Sequence, residues 1–147
     1  MVCPFGPGVW RITGPDVVGR VFAVGPHAAR VQVLLDRDSG AAALIERSRV
    51  SGVVSGQVSA PETGSEDLAL KYIPGRADVV VGDVVVTSGL DRIFPKGLVI
   101  GRVRLVGDVT GLFREVSVEP SARFSSLEEV LVLKGAPAPL ETPRSVE

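Results

Sequence analysis

The sequence predicts an all-β fold built as two small β-barrel-like units, the first incomplete, with a disordered C-terminal tail. Three observations carry that expectation. Short Val-rich apolar runs alternate with polar residues at a period of two, the signature of half-buried strands. The runs are punctuated by 17 Gly and 11 Pro in 147 residues, the turn-forming residues of all-β domains. Hydrophobic residues make up 45% of the chain and aromatics only 5%, so a real core is available and rests on β-branched side chains.

Residues 1–16 are rich in Pro and Gly and read as an irregular lead-in around Trp10. Strands are expected at 17–24 and 29–35, joined by Gly25-Pro26-His27-Ala28; in the second, Val31, Val33 and Leu35 share one face. Asp36 to Gly40 is a turn by composition. A strand follows at 41–46, with helix competing over Ala41 to Arg49 because Ala, Leu and Glu favour it, and another at 50–58. The polar stretch 59–67 has no apolar anchor and reads as the join between the two units. Strand character resumes at 68–72, at 84–87 and at 98–106, where Val99, Val103 and Leu105 are expected on one face with Arg102 and Arg104 on the other. Gly107-Asp108 then reads as a turn. Val116 and Val118 mark a further strand, Phe124 to Glu129 a helical turn capped by Ser125 or Ser126, and Val130 to Leu133 a last buried strand. The expected division is thus a partial first unit at 17–58, a second barrel at 59–118, a closing strand at 119–133 able to return to the first unit, and a disordered tail at 134–147.

Charge narrows the function. Sixteen Lys and Arg against 17 Asp and Glu give a net charge of −1, without the basic excess that displaces counterions from phosphate. A nucleic-acid-binding OB-like barrel is therefore disfavoured, since such grooves are basic and lined with stacking rings. The single Cys3 and single His27 leave neither a disulfide nor a Cys/His zinc site, and no carboxylate-rich metal loop is evident. No run reaches the ~18 apolar residues of a membrane-spanning helix, and the N-terminus lacks the basic leader and apolar stretch of a signal peptide.

Several residues invite sharper readings. His27, Asp36 or Asp83, and Ser88 supply the residue types of a serine-hydrolase triad, but Ser88 lacks a glycine-rich nucleophile context. Gly52 to Gly56 superficially suggests a phosphate loop; without a Lys-Ser/Thr pair and a following helix, a glycine-kinked strand is expected. Arg102 and Arg104 fit the solvated face of a strand better than an anion site. Phe5, Trp10 and Phe22 suggest a docking patch; packing is expected instead for Phe22, and for Trp10 packing and docking fit equally. No catalytic, cofactor-binding or metal-binding residue is assigned.

The most informative segment is 82–104, GDVVVTSGLDRIFPKGLVIGRVR. Gly82-Asp83 reverses the chain into strand 84–87, Thr87 and Ser88 can satisfy freed backbone groups, and Gly89 can take positive φ. Phe94-Pro95-Lys96-Gly97 fits a type I turn, with Ile93 and Phe94 covering a barrel end. This pattern resembles that of the MreC family, rod shape-determining proteins, through Gly82, Asp83, Val85, Val86, Thr87, Ser88, Gly89, Phe94, Pro95, Gly97, Gly101 and Val103. Val18-Gly19-Arg20-Val21, Leu68 to Ile73, Val118-Glu119-Pro120 and Val130-Leu131-Val132 resemble further family segments in the same order, so the resemblance covers about 17–133.

The resemblance implies a non-catalytic scaffold of cell-wall elongation on the extracytoplasmic, periplasmic face of the membrane. Its implied partners are the class B penicillin-binding transpeptidase of elongation, the membrane protein MreD and the cytoskeletal MreB, together with self-association. Family members also carry a membrane helix and a coiled coil ahead of the β-region; that anchor is expected of the family and is absent from this sequence.

Overall fold

A computed structural model describes residues 10–13, 16–56, 67–92, 94–128 and 130–133. Ten strands appear among them: β1 Trp10–Thr13, β2 Asp16–Val24, β3 Ala29–Val33, β4 Ala41–Ile45, β5 Ser51–Gly56, β6 Leu68–Pro74, β7 Val84–Thr87, β8 Val99–Thr110, β9 Phe113–Pro120 and β10 Leu131–Leu133. A 3₁₀ turn at Phe124–Ser126 is the only helical element among the described residues. The all-β expectation holds. The helical alternative over 41–49 fails because Ala41, Ala43 and Ile45 are buried on one face of an extended strand, and burial outweighs the weak helical propensity of Ala and Leu.

Pairing runs β8-β7-β4-β5-β6-β9, and β9 pairs back onto β8, which closes a six-stranded barrel. Closure leaves no edge on this unit. The remaining strands extend from it: β2 meets β8 through one parallel pair, Asp16 with Val99, while β1 and β3 flank β2 and β10 adds to β1. Val17 and Leu34 join Ala43, Ile45, Leu70, Val85, Ile100 and Val118 in one hydrophobic core, so the flanking strands share apolar packing with the barrel.

The structure revises several expectations. Four residues of the supposed irregular lead-in form β1, whose backbone is paired on both edges, to β2 and β10; residues 1–9 lie outside the described ones. The join at 59–67 falls inside the closed barrel, since β5 and β6 on either side of it pair with each other (Val54 with Leu70). Strands β4 to β9 make up the closed barrel, and β1 to β3 lie outside it. Residues 57–66 and the tail 134–147 are outside the described residues.

Gly107-Asp108 is not a turn. The strand continues to Thr110, and the reversal occurs at Gly111, with φ +67°, and Leu112. Gly107 serves close approach instead, since a Cβ there would collide with the Glu115 carbonyl of β9. The register shift between Val103 and Leu105 also breaks the period of two. Val103 is buried but Leu105 is exposed, and Arg104 turns across the seam to Glu119 (2.9 Å) and Asp67 (3.4 Å). The 3₁₀ turn has Arg123 at its N-cap and no side-chain cap from Ser125 or Ser126. Leu131 in β10 is exposed rather than buried, because β10 pairs with β1 alone. Phe22, expected in packing, is half exposed at a bulge of β2. The Phe5 and Trp10 side-chain readings fall outside the described residues.

Barrel closure rests on the contact of β8 with β9 at Gly101. A methyl group there would collide with the Glu119 carbonyl and press on Pro120. Gly101→Ala is expected to cost about 1–3 kcal/mol through forced displacement of β9, measured as a lower urea midpoint with an unchanged slope. An unchanged midpoint would mean that the seam is looser than described.

Candidate functional site

The segment singled out from sequence folds into a knot at one end of the barrel. At its centre is Thr87, fully buried at the end of β7. Its amide donates to the Leu98 carbonyl (2.8 Å), its carbonyl accepts from the Gly97 amide (2.9 Å), and its hydroxyl accepts from the Leu98 amide (2.9 Å) while donating to the Pro95 carbonyl (2.5 Å). One residue thus satisfies four polar groups of the partly buried loop that leads into β8.

The expected type I turn over Phe94–Gly97 is not closed in the usual way. The Gly97 amide crosses to Thr87 instead of reaching back to Phe94. Gly89 takes the positive φ expected of it, +76°, and Gly97 also lies at positive φ, +91°, in the region where a Cβ is strained. Phe94 is buried in the core and closes the barrel end; Ile93 lies outside the described residues. Ser88 is also buried. Its amide donates to the Ala42 carbonyl (2.9 Å) and its hydroxyl accepts from the Leu90 amide (3.3 Å).

Two participants escaped sequence reading. Asp91 accepts from the Ala42 amide of β4 (2.8 Å), so the loop grips both polar groups of Ala42. Arg47, in the turn after β4, reaches the other end of the segment. Its Nε and Nη2 donate to Asp83 (2.8 and 3.0 Å), and its Nη1 and Nη2 to Asp78 (2.7 and 3.1 Å). Two bidentate pairs use the planar guanidinium fork as a clamp between turns. Asp83 also accepts from the Val80 amide (2.9 Å). The hydrogen bonds from Arg47 hold both carboxyls below their ordinary range, and the two carboxylates raise the Arg47 guanidinium above its own. No motif announces this cluster, because its members are 31 and 36 residues apart in sequence.

The residue types of a catalytic triad are not brought together. His27 is exposed in the β2–β3 turn, Asp36 accepts from the Asp38 amide in the next turn (2.9 Å), Asp83 is clamped by Arg47, and Ser88 is buried at the knot. Among the described residues no hydrogen bond joins any two of them. Gly52 to Gly56 lies in β5, where Cβ atoms at Gly52 and Gly56 would meet the Lys71 and Leu35 carbonyls, so these glycines admit neighbouring backbone. Arg102 donates to the Gly82 carbonyl (3.2 Å) and forms no anion site with Arg104.

What the barrel offers to partners is surface. At the tip of the β8–β9 hairpin Leu112 is 82% exposed, and Tyr72, Val109 and Phe113 are also open to solvent. Tyr72 and Phe113 meet edge to face with ring centroids 5.9 Å apart. Val109 packs over Gly75, whose amide donates to the Leu112 carbonyl (3.0 Å). Tyr72 holds φ +65°, an unusual conformation for an aromatic residue. A cluster of exposed apolar side chains on rigid strands is a feature of interaction sites.

Against protein-family models, residues 7–134 match the barrel core of the rod shape-determining protein MreC. The chain belongs to the MreC family. Among MreC relatives, the cell shape-determining protein MreC of Escherichia coli is 31% identical over 128 residues, 85% of this chain and 33% of that protein. The chain therefore spans about a third of the length of this curated relative. The crystal structure of MreC from Pseudomonas aeruginosa superposes with a TM-score of 0.79 at 27% identity, covering 88% of this chain and 81% of that one. The MreC fold is also shared with the MreC solved in complex with a penicillin-binding protein from Helicobacter pylori, at a TM-score of 0.68 and 19% identity over 84% of this chain and 76% of that one.

Two outcomes follow from this geometry. Thr87→Val keeps the shape but strands the Leu98 amide and the Pro95 carbonyl, and is expected to cost about 1–3 kcal/mol for each group left unsatisfied; a loss below that range would mean that water replaces the hydroxyl. The carboxyls of Asp78 and Asp83 have lowered values in the folded state. Their contribution is therefore fully present above the unfolded value of about 3.9 and is lost as pH falls through the lower folded values. Arg47→Met is expected to flatten the fall in melting temperature below about pH 4; parallel curves for variant and parent would contradict the clamp.

Proposed function

We propose that this chain is a non-catalytic binding scaffold of the cell-wall elongation machinery, acting on the periplasmic face of the cytoplasmic membrane. Its partners are the class B penicillin-binding transpeptidase of elongation and, within the same assembly, MreD, the MreB system and further copies of itself. The observation that carries this reading is family membership across residues 7–134. It is supported by the shared fold of the MreC that was solved with a penicillin-binding protein.

The physical basis is a barrel whose polar loop is consumed by internal hydrogen bonds, leaving apolar side chains on its exterior. Tyr72, Leu112 and Phe113 present the partner-facing surface. Rigid aromatic rings give contact area at small entropic cost and dominate the energetics of interfaces. A hydrolase reading has little to support it, because the Ser88 hydroxyl is buried and accepts from a backbone amide.

Titration of the chain against the cognate transpeptidase ectodomain tests the reading. Binding is expected, and the Tyr72→Ala, Phe113→Ala double variant is expected to weaken it at least about tenfold while remaining folded. Absence of any association would defeat the scaffold assignment. Ser88→Ala is expected to cost only about 0.5–1.5 kcal/mol in stability. Covalent labelling of Ser88 by a fluorophosphonate would restore the hydrolase alternative.

A further inference from the structure

A second surface, remote in sequence from the hairpin tip, has a different chemistry. β3 pairs with β2 along one edge, and among the described residues no strand pairs with its other edge. Such an edge presents a row of backbone donors and acceptors to an incoming strand. β3, with the sequence ARVQV, contains neither Pro nor Lys to blunt it.

The side chains beside this edge are also arranged for recognition. Arg20 lies opposite Gln32, and Ala23 opposite Arg30, with Phe22 at the bulge between them. Val21, on the alternate face of β2, is buried. The outer face therefore carries Arg20, Phe22, Arg30 and Gln32. Together with Val31 and Asp36 they line an open groove of about 440 Å³.

Arg47 pairs with Asp78 and Asp83, and Arg104 with Asp67 and Glu119, while Arg102 donates to the Gly82 carbonyl. Arg20 and Arg30 form no ion pair among the described residues. The nearby Asp36 carboxylate accepts from the Asp38 amide within its own turn. Two cations, an aromatic ring 49% exposed and a free strand edge thus adjoin one groove.

We propose that the edge of β3 and this groove form a strand-addition site for an extended, acidic segment of a partner protein. The incoming backbone pairs with the outer edge of β3. Alternate side chains of an extended segment recur on one face about 6.8 Å apart, so carboxylates at that spacing on the outer face are presented to Arg30 and, one strand further in, to Arg20, while the intervening side chains fall on the opposite face. Main-chain pairing supplies affinity, and the side-chain groove supplies selectivity. The site is separate from the surface around Tyr72 and does not require the transpeptidase as its occupant.

The test uses a fluorescent peptide of alternating Glu and Val, the same peptide with Lys in place of Glu, and a third with alternate amides N-methylated. The acidic peptide is expected to bind and to shift the backbone amide resonances of residues 29–33. The Lys and N-methylated peptides should bind at least about tenfold more weakly. The Arg20→Gln, Arg30→Gln variant should lose about tenfold in affinity with an unchanged melting temperature; the peptide comparison on the parent protein stands even if this variant is unstable. Equal binding of the Glu and Lys peptides, resonance shifts confined to other strands, or no binding of the acidic peptide would overturn the proposal. Capture on phosphatidylglycerol vesicles without peptide binding would overturn it too, assigning the arginines to a lipid surface.

Discussion

Closure of the sheet between β8 and β9 is the constraint on which the other features depend. β8 is paired to β7 on one edge and to β9 on the other, and it meets β2 at Val99. Without that seam the six strands would form an open, twisted sheet with two exposed edges. The apolar residues gathered on its inner side, among them Ile100, Val103, Val116 and Val118, would then lose their enclosure. Two glycines make the seam possible, because Gly101 and Gly107 let the carbonyls of β9 come close. The flanking strands depend on it in turn, since Val17 and Leu34 pack into the core that closure creates.

The loop between β7 and β8 is held to this frame with little freedom left. Thr87 fastens its far side, Asp91 and Ser88 fasten it to Ala42, and Phe94 anchors it in the core. Hydroxyl and carboxylate groups that could serve chemistry elsewhere are spent on backbone groups here. The exterior carries an apolar hairpin tip and the edge of β3 beside Arg20 and Arg30, which form no ion pair among the described residues. Both are carried on strands, which hold a binding surface more firmly than a mobile loop does.

Legibility in the sequence followed the range of the forces involved. β9 could be read because alternate burial, at Val116 and Val118, imposes a period of two on neighbouring residues, and β7 because a short Val run between turn residues reads as a strand apolar on both faces. The turn chemistry of Gly89 and Gly97 was equally local. Leu105 and Gly107 were misplaced because a bulge shifts the pattern, and bulges are set by the partner strand. β1 was missed among Pro and Gly because its backbone is stabilised by pairing with β2 and β10, which lie on either side of the barrel in sequence. The pairing of β5 with β6 was hidden for a related reason: a long polar connection looks the same whether it joins two units or two strands of one barrel. Arg47, Asp78 and Asp83 formed no pattern at all, since only folding brings them together.

The loop between β7 and β8 belongs to the barrel's cooperative frame and is not a mobile active-site loop. Amide hydrogen exchange resolved by residue tests it most directly, because it separates local opening from global unfolding. The amides of Thr87, Gly97 and Leu98 should exchange with the same opening free energy as those of Val103 and Val118 at the barrel seam. Fast exchange at Gly97 and Leu98 while the seam stays protected would contradict the account.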